Sequence, residues 1–149
     1  MAIEDVLGQV SERQLIKLDV FKSMCIELSR LSHDSKMKVA TIIITEDFRE
    51  VCAIGYNGNY KGGPNERESM LTGQSGFLHS EENALFHLSK SYDVRHKLIM
   101  ICTHKPCPMC AKRIVNSEIK RVLYINDYCG LGDSTDEIFS IAGVKSSQF

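Results

Sequence analysis

The sequence predicts one α/β domain, a three-layer α/β/α arrangement in which a mixed sheet carries helices on both faces. Three observations point there. Residues 97–103, KLIMICT, are almost wholly apolar, as a central strand covered on both sides requires. A helical stretch at 107–116 links this strand to a further one at 121–126, and a single helical crossover makes such a pair parallel. Upstream, the β-rich runs at 38–45 and 51–56 are joined by a short polar connection, which makes an antiparallel hairpin. A chain of 149 residues holds one such domain with a real core, so residues 1–149 are read as a single domain whose core spans about 11–143.

The elements follow in order. Residues 11–31 place Leu15, Leu18, Phe21, Met24, Cys25, Leu28 and Leu31 three and four apart, one face of an amphipathic helix capped by Ser11. That stripe reads as core packing. Ser32 to Ser35 end the helix as a polar loop, and the hairpin follows. A long polar loop then runs from Asn57 to Gly76, with five glycines and Pro64. Loops of this length inside a compact domain are uncommon and tend to be functional or mobile. Because it leads directly into His79, it is expected to wall or cover a site there. Residues 78–90 read as a helix with Leu78, Leu85, Phe86 and Leu88 on its apolar side. Pro106 precedes the helix at 107–116. After the strand at 121–126 come a Gly/Asp-rich loop and a short helix at 135–142.

Composition narrows the class. With 43% apolar and 25% charged residues the chain is ordinary globular material. A net charge of −1, dispersed lysines and arginines and no tryptophan point away from a polynucleotide substrate. The start MAIEDVLGQV is acidic and lacks a basic segment followed by an apolar run, so no secretion signal is expected. No stretch has the length of a bilayer span, and no membrane partner is expected. The six cysteines are scattered apart from one CxxC pair, and they read as reduced thiols and ligands in a cytoplasmic protein.

The chemistry gathers in residues 76–117. His79-Ser80-Glu81 is followed, 28 positions after the histidine, by the cysteine pair of Pro106-Cys107-Pro108-Met109-Cys110. One imidazole and two thiols are the donor set zinc prefers. Three protein ligands leave a fourth corner open, where catalytic zinc carries its water. Cys107 and Cys110 stand three apart at a helix start, so both thiols share one face near N–H groups that favour thiolates. Glu81, two residues past His79, lies on a different side of its helix. That spacing suits a carboxylate beside the open corner, taking a proton from water that zinc has made acidic. Two other readings stand beside this one. A structural zinc closed by Cys52, Cys102 or Cys129 leaves Glu81 unexplained. A redox CxxC leaves both His79 and Glu81 without a role.

H-x-E followed by P-C-x-x-C is the signature of zinc nucleobase deaminases. The chain resembles the cytidine and deoxycytidylate deaminase superfamily from about residue 21 to about residue 143. Four segments carry the resemblance: Ser32-His33-Asp34 through Lys38-Val39, Gly55-Tyr56-Asn57-Gly58, His79 to Ala84, and Pro106 to Ala111. The two zinc segments specify the superfamily, and GYNG with its glycine-rich loop leans toward deoxycytidylate (dCMP) deaminases. The resemblance implies a five-stranded sheet, one catalytic Zn2+ per chain on His79, Cys107 and Cys110, and Glu81 as proton shuttle for hydroxide attack at C4 of cytosine. The implied reaction is hydrolytic deamination of a cytosine nucleotide, dCMP to dUMP plus ammonia. The resemblance also implies that Asn57 contacts the nucleoside, and that a 5′-phosphate contact be sought at Lys38 and the 57–63 loop. Tyr128 is placed to line the pocket, and Ser80, commonly alanine in the family, is small enough for its backbone to meet the base. His104, just before the metal segment, is placed to support it. Relatives are often homo-oligomers, which is expected here as well. Other substrates open to the same chemistry are a base in tRNA or single-stranded DNA, a free nucleoside or a purine. A non-catalytic zinc-binding partner protein is the reading from a different class, and the presence of Glu81 argues against it.

Overall fold

The computed structural model describes residues 2–127 and 134–149. The helices are α1 (Ile3–Leu7), α2 (Glu12–Ser29), α3 (Ser80–Phe86), α4 (Pro108–Asn116) and α5 (Ser134–Ala142), with a 3-10 segment at Tyr92–Lys97. The strands are β1 (Ala40–Ile44), β2 (Val51–Tyr56), β3 (Ile99–His104), β4 (Arg121–Asn126) and β5 (Lys145–Gln148). They form one five-stranded sheet in the order β2-β1-β3-β4-β5. β1 runs antiparallel to both β2 and β3, whereas β3, β4 and β5 are parallel. The mixed sheet and the parallel crossover through α4 are as the sequence predicts.

Strand periodicity sends alternate side chains to two separate cores. Ile43, Met100, Cys102, Val122 and Tyr124 face a cluster that includes Ala84 of α3, Ala111 and Ile114 of α4 and Phe139 of α5. Ile42, Ile44, Ile99, Ile101 and Leu123 face Val6 of α1 and Leu18 and Cys25 of α2. Every residue of β1 is buried, because helices cover both sides of it. Ser11 caps α2 as expected: its hydroxyl accepts from Gln14 N, and Gln14 Oε1 accepts from Ser11 N.

Several expectations are corrected. The apolar stripe of α2 is narrower than its sequence pattern: Leu18 and Cys25 are buried, but Leu15, Met24 and Leu31 are 47%, 44% and 56% exposed. The sheet offers that helix one line of contact, and the flanking positions overhang it. Phe86, assigned to the buried side of its helix, is 70% exposed because α3 ends there, after seven residues. α1 and β5, five and four residues long, have no counterpart among the expected elements. They carry Val6 and Ser147 into the interior, as does Val144 beside β5, and so extend the buried core beyond 11–143. Among the described residues, no helix is long and apolar enough to cross a membrane.

Candidate metal centre and active-site pocket

His79 and Cys107 are the N-cap residues of α3 and α4, and Pro108 occupies the first turn of α4, where its missing N–H removes no hydrogen bond. The close seat of α3 on the sheet depends on Gly55. A Cβ there would lie 2.3 Å from the Ser80 carbonyl oxygen and 2.4 Å from Ala84 N. Glu82 accepts from the His79 backbone N–H at 3.0 Å and pairs with Arg113 of α4 at 3.2 Å, which ties the two helix starts together.

The result is a convergence of three donors. His79 Nδ1 is 3.6 Å from Cys107 Sγ and 3.3 Å from Cys110 Sγ, and the three donor atoms lie within 4.8 Å of one another. Tetrahedral zinc, with Zn–S near 2.3 Å and Zn–N near 2.0–2.1 Å, separates nitrogen from sulfur by about 3.5 Å. The site therefore has the size and the donor chemistry of zinc. The thiols act as a pair. The hydrogen bond from Cys110, together with His79, pulls Cys107 down to about 4 against the effect of burial. Cys110 is pushed far up, because it donates that bond and is buried. His79 is raised chiefly by its hydrogen bond with Cys107. A cation bound here would take the place of the proton between the two thiols. Neither Cys52 nor Cys102 joins the cluster, and Cys129 lies outside the described residues.

Glu81 is 4% exposed and borders the same pocket as His79 and Cys107. Burial raises its pKa above the ordinary carboxylate range, opposed by the Ser80 hydroxyl, which donates to Oε1 at 2.6 Å, and by the nearby His79. The carboxylate thus stands beside the donor cluster without belonging to it.

The long loop forms the opposite wall. Gly58 and Leu78 pair at its two ends, so the chain leaves and re-enters at one point. Asp34 anchors its middle. Its carboxylate accepts from the backbone N–H groups of Lys36 and Met37, from Asn57 Nδ2 and, at 2.7 and 2.6 Å, from Arg67 Nη1. Burial would raise the Asp34 pKa, but these donors and the Arg67 charge outweigh it and hold it below the usual range. Both side chains are nearly inaccessible, 8% for Arg67 and 3% for Asp34. Breaking a buried pair leaves one charge without compensation, so Arg67→Ala is expected to cost about 3 kcal/mol of stability. The freed loop should also be cut faster by chymotrypsin at Tyr60, Met70 or Leu71. Urea unfolding together with the proteolysis rate checks this; unchanged values would show that the loop is held by other contacts.

The residues expected to meet a nucleotide are distributed unevenly. Asn57 lines the pocket and is 8% exposed. Its amide donates to Asp34 and to the Met37 carbonyl and accepts from Val39 N. Ser80 is fully buried, with its hydroxyl on Glu81 and Thr41. Lys38 lies outside the pocket lining and donates to the Ser32 carbonyl. Lys36, two residues earlier, lines the pocket instead, as do Thr72, Gly73 and Ser75 of the loop, and its Nζ donates to the Met70 carbonyl at 2.7 Å. His104 also lines it, Nδ1 3.0 Å from Thr103 Oγ1, and burial lowers its pKa. Tyr128 lies outside the described residues. Arg67, Lys36 and Arg113 were missed as contributors. A single basic residue in a polar stretch carries no local signal of its partner.

Comparison with known proteins agrees with this geometry. Residues 16–126 match the family model described as the cytidine and deoxycytidylate deaminase zinc-binding region. The chain is similar to the deoxycytidylate deaminase of Schizosaccharomyces pombe, 27% identical over 87% of this chain and 42% of that protein. It is also similar to ComE operon protein 2 of Bacillus subtilis, 31% identical over 76% of this chain and 60% of that protein. The chain therefore spans about half the length of these curated relatives. A crystal structure of dCMP deaminase from the cyanophage S-TIM5, in complex with dCMP and dUMP, superposes with a TM-score of 0.74 at 26% identity, covering 95% of this chain and all of that one. The zinc-binding region that defines the family spans the segments that bring His79, Cys107 and Cys110 together, and on that match the chain belongs to the cytidine and deoxycytidylate deaminase zinc-binding family, with zinc as its cofactor.

Proposed function

We propose that this chain is a single-domain hydrolytic deaminase of a cytosine nucleotide, converting dCMP and water to dUMP and ammonia. The observation that carries the reading is the buried Glu81 carboxylate in the wall of the pocket that His79 and Cys107 also line. The similarity to a deaminase crystallised with dCMP and dUMP supports the choice of substrate.

His79, Cys107 and Cys110 would hold the metal. Zinc, when bound, supplies Lewis-acid activation of water near neutral pH. Glu81 takes one proton from the attacking water and passes it to N3 of the ring, then takes the second proton of the same oxygen and gives it to the amine as the C4–N bond breaks, acting as base and then as acid. Burial suits it to this cycle, because a raised pKa makes the protonated form accessible. Asn57 is the proposed nucleoside contact; its Oδ1 accepts from Val39 N, and an amide oxygen has a second lone pair for a sugar hydroxyl. Ser80 would meet the base through its backbone, and Tyr128 is retained as a proposed pocket residue. For a 5′-phosphate, Lys36 is the better placed cation, since it lines the pocket and Lys38 does not.

Absorbance-monitored deamination by the zinc-loaded protein tests the reading, with dCMP, CMP and deoxycytidine side by side. Turnover of dCMP well above deoxycytidine is expected. Inactivity on all three at full zinc occupancy would move the substrate to purines or nucleic acid. Lys36→Ala should raise KM for dCMP about tenfold, the loss of one charge-assisted hydrogen bond, and leave deoxycytidine kinetics unchanged. Equal effects on both substrates would remove Lys36 from the phosphate site.

We also propose that the chain works in the cytoplasm as a homo-oligomer. The free thiols among the described cysteines suit a reducing compartment. Ile16, Val20 and Met24, exposed and four apart along α2, are the kind of surface that self-association covers. Light scattering on the zinc-loaded protein, with Val20→Glu as the disrupting variant, reads the assembly; a monomeric wild type would refute it.

A further inference from the structure

A row of buried polar side chains runs from the middle of the sheet to the Glu81 carboxylate. Cys102 Sγ on β3 lies 3.5 Å from Thr41 Oγ1 on β1. Thr41 Oγ1 lies 2.8 Å from Ser80 Oγ, and Ser80 Oγ donates to Glu81 Oε1 at 2.6 Å. Cys102, Thr41 and Ser80 are each 0% exposed. Proton counting constrains the row. Ser80 has one hydroxyl proton and spends it on the carboxylate; Thr41 has one as well, which it gives to Ser80 or to Cys102 Sγ but not to both at once. Placing hydroxyls inside an apolar sheet–helix interface is unfavourable unless they are bonded, and here the Thr41 hydroxyl meets Ser80 and the Ser80 hydroxyl meets Glu81.

We propose that Ser80 and Thr41 are positioning residues for the deamination, Thr41 holding the Ser80 hydroxyl and Ser80 holding one oxygen of Glu81, so that the other oxygen is presented to the pocket. Neither residue touches substrate through its side chain. A glutamate side chain has three rotatable bonds, and proton transfer needs its oxygen within hydrogen-bond reach of both water and base. Ser80 removes that freedom from the protein side. The role differs from a backbone contact with the base, which an alanine at this position would make equally well. It rests on the proposed part of Glu81 as proton shuttle.

Four variants test it: Ser80→Ala, Thr41→Val, Thr41→Ser and the double Ser80→Ala/Thr41→Val. Ser80→Ala should lower kcat for dCMP about tenfold, with KM and zinc content unchanged. Thr41→Val, which keeps the shape but not the hydroxyl, should lower kcat in the same way, and Thr41→Ser should restore it. Because Thr41 acts through Ser80, the double variant should be no slower than Ser80→Ala alone. A crystal structure of zinc-loaded Ser80→Ala should show the Glu81 carboxylate in more than one rotamer. Wild-type protein inactive on dCMP would sink the substrate assignment alone, and the Ser80→Ala crystal structure would then decide the positioning role by itself. An unmoved carboxylate in that variant overturns the proposal. So do kcat values within about twofold of wild type in both single variants, or effects that multiply in the double.

Discussion

Glu81→Ala is expected to lower kcat on the order of 10³-fold, the usual contribution of a general acid–base group, while the protein keeps its full zinc content. Both halves follow from placement. The carboxylate borders the pocket at 4% exposure, yet the metal-binding cluster comprises His79, Cys107 and Cys110 without it. Removing it deletes the proposed proton carrier and leaves the three donors where they are. Glu81→Gln sharpens the test, because its amide oxygen can still accept from Ser80 but cannot carry a proton. It should be as inactive as the alanine variant. Steady-state kinetics with metal analysis of the same samples checks the pair. Loss of zinc from Glu81→Ala would make the carboxylate a ligand or a support, and the shuttle assignment would fall.

The second large effect is at the metal. Cys107→Ala and Cys110→Ala should each reduce bound zinc to trace amounts, abolish activity and lower the melting temperature. Nitrogen–sulfur separations of 3.6 and 3.3 Å fit one tetrahedral ion, and removing either sulfur leaves two protein ligands. Folding should be coupled to the metal, because the donors sit in the first turns of two helices that meet on one face of the sheet. A chelator should destabilise wild type and leave the cysteine variants unchanged, since they have no zinc to lose. Metal analysis and thermal unfolding with and without chelator read both effects. Retention of zinc by either variant would show that another side chain completes the set.

Local pattern carried much of the fold. The buried run of β3, the hairpin of β1 and β2, and the crossover through α4 are legible because apolar continuity and turn residues report on neighbours close in sequence. β5 is not legible in this way. Its residues, Lys145-Ser146-Ser147-Gln148, have no β-branched or apolar signal, and they form a strand because they pair in parallel with β4. α1 has five residues and fell below any helical period. In α2 the periodicity overstates the buried face, since Leu15 and Met24 fit the pattern and are exposed.

The donor cluster of His79, Cys107 and Cys110, with Glu81 beside it, was legible in the sequence itself, because residue type and spacing suffice when ligands have few chemical alternatives. Two N-capping donors and a CxxC turn constrain one another locally, and the fold had only to bring two helix starts together. What surrounds them was decided by tertiary structure alone. Asp34 with Arg67 is 33 positions apart, Thr41 with Ser80 39, and Thr41 with Cys102 61. Such contacts depend on strand register and on how a loop returns to its anchor, neither of which is written in local composition. The same holds for the exchange of Lys38 for Lys36 at the pocket. The Asp34 carboxylate takes the Lys36 backbone N–H, and two residues along the chain separate the lysine that lines the pocket from the one that does not.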